Sequence, residues 1–292
     1  MLPYLIQILP YLIHILTFIA IYLIVNLAYA IPVGYTGMLN LGHVGLLAIG
    51  AYTSAILITS GYSFWLAFPL AALLSGIAGF LLALPARRIK GDYYALMTLG
   101  FVFVVNAILL NWQPLTRGPL GITGIERPEG FISPERYLIL TLIVLAATAF
   151  FVRRLVNSPF GKALEAVRDD DLVAESLGKP TAKLRVISLS VSAVIVGIAG
   201  ALLAPFIQFI NPQIFSLDLV IWLLAALVVG GLASFPGAIV GTVIIIALFE
   251  SVRFLPVPLD LVGALRLAVF SIALLAVVLM RPRGILGRAQ LE

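Results

Sequence analysis

Apolar runs of roughly 20 residues recur from one end of this chain to the other, with short polar intervals between them. Of its 292 residues, 62% are hydrophobic and only 11% are charged, too few to cover a water-facing surface. Hydrocarbon is the cover that fits, and the mean hydropathy of +1.15 agrees. In hydrocarbon the backbone must satisfy its own hydrogen bonds, so runs of this length specify helices. The expected fold is therefore all-α, a polytopic transmembrane helical bundle of about nine spans.

The runs lie near 9–30, 39–60, 64–84, 92–112, 136–153, 184–205, 218–233, 236–252 and 263–281. The seventh and eighth are short and separated by little more than Ser234-Phe235-Pro236, so they are open to being broken or re-entrant. No Lys or Arg precedes the first run, which reads as a retained span and not as a signal peptide. Basic residues then set the orientation. Arg87, Arg88 and Lys90 follow the third run, Arg153 and Arg154 close the fifth, and Arg281, Arg283 and Arg288 follow the last. Lys162, Arg168, Lys179, Lys183 and Arg185 fall in the interval after the fifth. With nine spans these share one side, expected to be cytoplasmic, which puts the N-terminus outside and the C-terminus inside. The opposite loops hold Arg117, Arg127, Arg136 and Arg253, with Arg266 just inside the last run. The net charge of +5 thus follows topology and implies no nucleic acid.

Chemistry leaves few traces. The absence of cysteine excludes disulfides, a thiol nucleophile and a Cys-ligated metal. Gly161-Lys162 and Gly178-Lys179 lack the earlier glycine and the following Ser or Thr of a phosphate-cradling loop, so this device for ATP hydrolysis is missing. There is no Ser-His-Asp grouping, metal-ligand cluster or convincing carboxylate pair. No catalytic, cofactor-binding or metal residue is expected, and an integral enzyme is disfavoured. Ionisable groups inside the runs are His14, His43, Glu250 and Arg266, each read as interfacial or structural before functional. Glu250 and Arg266 could face one another as an ion pair. Asn26 and Asn106 read as interhelical glue. Small residues at close-packing intervals (Ala193, Gly197 and Ala201; Gly237 and Gly241; Gly42, Gly45 and Gly50) read as a tightly packed bundle. The segment from Asn111 to Glu135 is rich in Gly and Pro, too short to fold alone, and expected to cap the bundle or meet an external partner.

The longest polar interval, 153–185, is not a plain connector, because its apolar residues keep helical spacing. Ser158 is an N-cap signal with Pro159 at the first helical position, and Phe160, Ala163, Leu164 and Val167 fall on one face. An Asp of Arg168-Asp169-Asp170-Asp171 caps a second helix, on which Val173, Ala174 and Leu177 restart the apolar face. Gly178 suits the left-handed position that ends it, and Pro180 prevents continuation. From the residues alone two readings stay open. The pair docks into a groove of a soluble partner, or it packs back on the inner ends of the spans.

Six blocks resemble one family. They are NLAYAIPVGYTGMLNLGHVGLLAIGAYTSAIL, GDYYALMTLGF at 91–101, LTRGPLGITGI at 115–125, SPFGKALEAVRDDDLVAESLG at 158–178, VVGGLASFPGAIVG at 228–241 and RPRGILG at 281–287. In this order they resemble the branched-chain amino acid ABC transporter permeases, and the Gly-Asp-Tyr-Tyr block and the terminal block look more like the LivM type than the LivH type. The resemblance implies a bacterial or archaeal inner-membrane importer subunit working by alternating access. Its partners would be two cytoplasmic ABC ATPases that carry the ATP and Mg, a sister permease and a periplasmic substrate-binding protein, which would meet 111–135 and 206–217. It also implies that the 153–185 loop carries the ATPase-coupling helix. The residues taken for that contact are Ser158, Pro159, Phe160, Gly161, Leu164, Glu165, Ala166, Asp170, Ala174, Glu175, Leu177 and Gly178. The loop departs from the general Glu-Ala-Ala pattern at Val167 and in its longer spacing to Gly178. Alternatives are an ion-coupled secondary amino-acid carrier, a membrane scaffold, and a permease of the same family for amides or urea.

Overall fold

A computed structural model describes residues 2–89, 91–252, 259–281 and 284–287. Lys90, Arg253, Arg283 and Arg288, counted above for orientation, lie outside the described residues. The long helices are α1 (Leu2–Ala30), α2 (His43–Thr59), α3 (Phe64–Ala83) and α4 (Gly91–Asn111). A short α5 (Gln113–Thr116) precedes α6 (Pro134–Val156). The polar interval forms α7 (Pro159–Asp169) and α8 (Asp171–Ser176), and α9 (Thr181–Ile207), α10 (Leu217–Gly230), α11 (Phe235–Ser251) and α12 (Leu259–Met280) follow.

Each of the nine apolar runs is a helix, but they are not equal in length. Among the described residues five helical stretches are long and apolar enough to cross a membrane: 9–35, 64–87, 91–111, 134–156 and 181–207. The apolar stretches 43–59, 217–230, 235–251 and 262–277 are shorter. Among the described residues the count of nine apolar helices agrees with the sequence, while nine full spans is more than their lengths establish.

Side chains cap the starts of several helices. Ser63 accepts from Trp65 N at 3.3 Å and Ser234 from Gly237 N at 3.1 Å, each side chain satisfying a donor that the first turn leaves open. The first run does not simply stop at Ala30. It widens into a π-helical turn, Ile31–Tyr35, and then leaves helical geometry before α2. Gly42 therefore precedes α2 and is not one of its helical residues.

The centre of the bundle is α9, 72% of whose apolar window is buried, packed most extensively on α3 and α2. Lipid supplies no hydrophobic drive between helices, so contact depends on how closely their backbones approach. A Cβ on Gly50 would stand 2.6 Å from Gly197 O, and one on Gly200 would stand 2.5 Å from Leu47 O. Polar side chains add hydrogen bonds where water is absent. Ser192 Oγ donates to Ala28 O at 2.7 Å, and Tyr137 Oη to Leu202 O at 2.6 Å. Asn26 Nδ2 donates to Thr242 Oγ1 at 2.7 Å and joins α1 to α11 as expected, whereas Asn106 Nδ2 donates to Phe215 O at 2.8 Å in the turn before α10.

A second packing centre joins α10, α11 and α12. A Cβ on Gly241 would lie 1.9 Å from Ala226 O, so α10 and α11 touch backbone to backbone. Phe270 of α12 closes this cluster with Ala225, Ala226, Val229 and Ile245. The stretch 284–287 returns to the end of α10, with Ile285 N donating to Val229 O at 3.0 Å and Leu286 N to Gly230 O at 2.9 Å. Two of the six sequence blocks thus meet in space.

At the other end, 111–133 folds onto the bundle. β1 (Ile122–Thr123) pairs antiparallel with β2 (Phe209–Ile210), Ile125 is fully buried, and the Arg127 guanidinium lies 5.4 Å from the Tyr137 ring centroid. The cap expected of this segment is what it makes, with 207–216 as its partner.

Candidate functional site

The polar interval is built as a capped hairpin of helices. Asn157 closes α6 by donating from its backbone N and its Nδ2 to Arg153 O. Ser158 Oγ then accepts from Gly161 N at 3.3 Å, and Pro159 occupies the first helical turn, where its missing N–H costs nothing. At Gly161 a Cβ would fall 2.2 Å from Val156 O, so the turn from α6 into α7 closes only around a glycine. Leu164 and Val167 are buried, and Phe160, Ala163 and Ala166 pack half-buried on the same core. The water side carries Lys162 and Glu165, paired at 2.7 Å. The apolar face of α7 is thus covered by its own chain.

Asp170 separates the two helices. Its extended backbone ends α7, and its carboxylate accepts from Leu172 N at 2.9 Å and Val173 N at 3.0 Å to start α8. The helix stops in a Schellman motif. Gly178 N donates to Glu175 O at 2.9 Å and Lys179 N to Ala174 O at 3.0 Å, with Gly178 at φ +77°. Ala174 is buried here, whereas Leu172, Val173 and Leu177 are 75%, 52% and 73% exposed, and Glu175 is exposed beside them. The single face expected of Val173, Ala174 and Leu177 is therefore split. α8 is only six residues long, and Leu177, its C-cap, still donates from its backbone N to Val173 O at 3.0 Å, so Val173 and Leu177 share the outward side and Ala174 alone turns to the bundle.

Two contacts hold this pair in place, and sequence reasoning missed both. The carboxylate of Asp171 pairs with the guanidinium of Arg185, which is 5% exposed in the first turns of α9. Arg168 Nη1 donates to Gly34 O at 3.2 Å inside the π-helical turn, while its Nε and Nη2 hold Asp169 Oδ1 at 2.9 and 2.7 Å. Behind Gly34, a Cβ would sit 2.9 Å from Ala233 N in the loop between α10 and α11. The end of α7, the break in the first helix and the α10–α11 loop converge there. The usable signals were Pro32 and Gly34 near the end of an apolar run, and an Arg placed inside the next helical period.

Of the ionisable groups in the long helices, His43, His14 and Glu250 each meet a side chain or carbonyl of another helix. His43 is fully buried at the start of α2, stacked on Tyr29 at 4.5 Å with Nε2 3.2 Å from Val25 O. His14 stacks on Phe206 at 4.7 Å, and Glu250 Oε2 accepts from Tyr11 Oη at 2.8 Å. Among the described residues no group of three His, Cys, Asp or Glu is placed to hold a metal ion.

Apolar helices joined through small residues, with one capped and partly uncovered polar helix pair at one end, define a polytopic helical membrane protein. The chain belongs to the family of branched-chain amino acid transport system permease components, whose model matches residues 11–275. This is a family of transport permeases and not of enzymes. The chain is 35% identical to the high-affinity branched-chain amino acid transport system permease protein LivM of Salmonella typhimurium over 81% of its own length, and 34% identical to that of Escherichia coli K12. Both matches span 62% of the relative's length. It is 28% identical to the LivH permease of Escherichia coli K12 over 93% of its own length and 92% of the relative's. No solved structure matches the chain.

Proposed function

We propose that this chain is the permease subunit of an ATP-driven importer for branched-chain amino acids, docked to its ATPases through α8. The observation that carries the docking is the exposed trio Leu172, Val173 and Leu177 on a helix fixed by a cap, a Schellman end and a buried ion pair. An apolar edge held rigid in water suits insertion into a partner's groove, since little entropy remains to be lost on binding. α7, by contrast, has covered its own apolar face, so it positions α8 and contributes polar side chains such as Glu165.

On this reading the end carrying α7 and α8 is cytoplasmic, by the weight of Lys and Arg there. The N-terminus lies outside and the C-terminus inside the inner membrane of a bacterium or archaeon. All nine apolar helices cross, the shorter ones matched by local thinning of the bilayer. Residues 1–292 form a single permease domain. Two ATPases bind the ATP and Mg, and this chain binds neither. A sister permease completes the path, and a substrate-binding protein delivers cargo to the face formed by 111–135 and 206–217. The amino-acid class is taken from the names of the LivM and LivH relatives. Alternating access then needs only that α8 moves with the ATPases and that Arg168 passes the motion to the end of the first helix.

The test is uptake in reconstituted vesicles. Leucine accumulation is expected to require the ATPases, the binding protein and ATP, and to ignore proton and sodium gradients. Gradient-driven accumulation by this chain alone would overturn the proposal.

A further inference from the structure

The corner between α6 and α7 carries an open surface pocket of about 550 Å³ lined by Phe150, Arg153, Arg154, Asn157, Ser158 and Pro159. Its wall changes character along α6. Phe150 is 70% exposed and Phe151 49%, the two arginines come one turn later, and Asn157 ends the helix. Residues three and four apart share a helix face, so this is one continuous strip running from apolar through cationic to polar. Only 28% of the apolar window of α6 is covered by this chain, which leaves Phe150 open to hydrocarbon.

The arginines differ from three other basic groups of the same interval. Lys162, Arg168 and Arg185 each have a carboxylate partner. Neither Arg153 nor Arg154 has one among the described residues. Two uncompensated guanidinium groups at the edge of an apolar helix form a site for an anion, and Arg forks suit phosphate in particular.

We infer that this corner binds an anionic phospholipid. The phosphate sits between Arg153 and Arg154, the acyl chains run along Phe150 and Phe151, and the headgroup hydroxyls reach Asn157. The order of groups along the strip is the order along a phospholipid molecule. A soluble partner's carboxylates would answer the arginines but would leave the phenylalanines, one turn further into the hydrocarbon, without a contact. The inference needs α6 to be a span and does not depend on what drives transport.

The experiment is native mass spectrometry of the full chain in neutral detergent, titrated with phosphatidylglycerol and, separately, with phosphatidylcholine. Wild type is expected to hold phosphatidylglycerol preferentially, and R153Q/R154Q to lose about thirtyfold of that preference, one basic group's worth of surface attraction for each of the two side chains. R87Q/R88Q removes the same charge from two exposed arginines at the same end of the bundle and is expected to keep the preference. The single variant R154Q, with the gentler change, should fall between. Equal loss in R87Q/R88Q would mean a diffuse field in place of a site. Displacement of the lipid by millimolar inorganic phosphate would mean a simple anion site, and an unchanged preference in R153Q/R154Q would mean no site at this corner. Each of these overturns the inference.

Discussion

At the scale of single residues, the bundle is most sensitive where backbones touch. Gly241 faces Ala226 O and Gly230, so an added methyl has no side chain to displace and must push a helix away. G241A is expected to cost about 1–3 kcal/mol, the ordinary range for overpacking, read as a lower midpoint in thermal unfolding in detergent. Gly100 lies mid-helix with nothing within 4 Å of an added Cβ, and G100A is expected to leave the midpoint unchanged or raise it slightly. The Asp171–Arg185 pair is the corresponding polar position. D171N leaves Arg185, 5% exposed, without its counter-charge, a loss of about 3–5 kcal/mol. D171N/R185M should recover much of that in the same unfolding assay, and a double variant worse than the single would contradict the pairing. Small-residue contacts were legible in the sequence because four-residue spacing of Gly and Ala is itself the packing signal. The ion pair was not legible. Asp171 and Arg185 belong to different helices, and one-dimensional spacing carries no information about a contact across the hairpin.

At the scale of elements, termini proved far more readable than faces. Ser158, Asp170 and Gly178 all act as the capping rules require, since a cap depends on two or three neighbouring residues. Faces depend on how a helix is set against its neighbours. On α8, Ala174 turns to the bundle while Val173 and Leu177, four residues apart, both stay exposed. D170A should remove about 1 kcal/mol from α8, seen as faster amide exchange over 171–178 while α9 is unaffected. The π-helical turn at 31–35 lay inside an apolar run and gave no periodic sign of itself. It forms where Arg168 and the α10–α11 loop both press on the end of the first helix.

At the scale of the whole molecule, the nine apolar stretches found in the sequence are nine helices among the described residues, and their loops sort into two ends. One end gathers the α7–α8 pair, the π-helical turn, the α10–α11 loop and 284–287. The other gathers 111–133 with 207–216. A chain without cysteine lets this be tested directly. G178C should react with a membrane-impermeant thiol reagent only from the cytoplasmic side, and G130C only from outside. Same-side labelling of the two would contradict the alternation. Helix number was legible because hydrocarbon length imposes it. Span completeness was not, because stretches of 14 and 17 residues such as α10 and α11 fall below the length that settles crossing by itself.

The central claim is that α8 is where a cytoplasmic ATPase holds this permease, and its most direct test is co-purification with the L172E/L177E variant. Both side chains are exposed, 75% and 73%, so the bundle should keep its unfolding midpoint while the ATPase is lost from the purified complex and ATP-dependent uptake falls with it. An L172E/L177E variant that retains its ATPase as wild type does would contradict the claim.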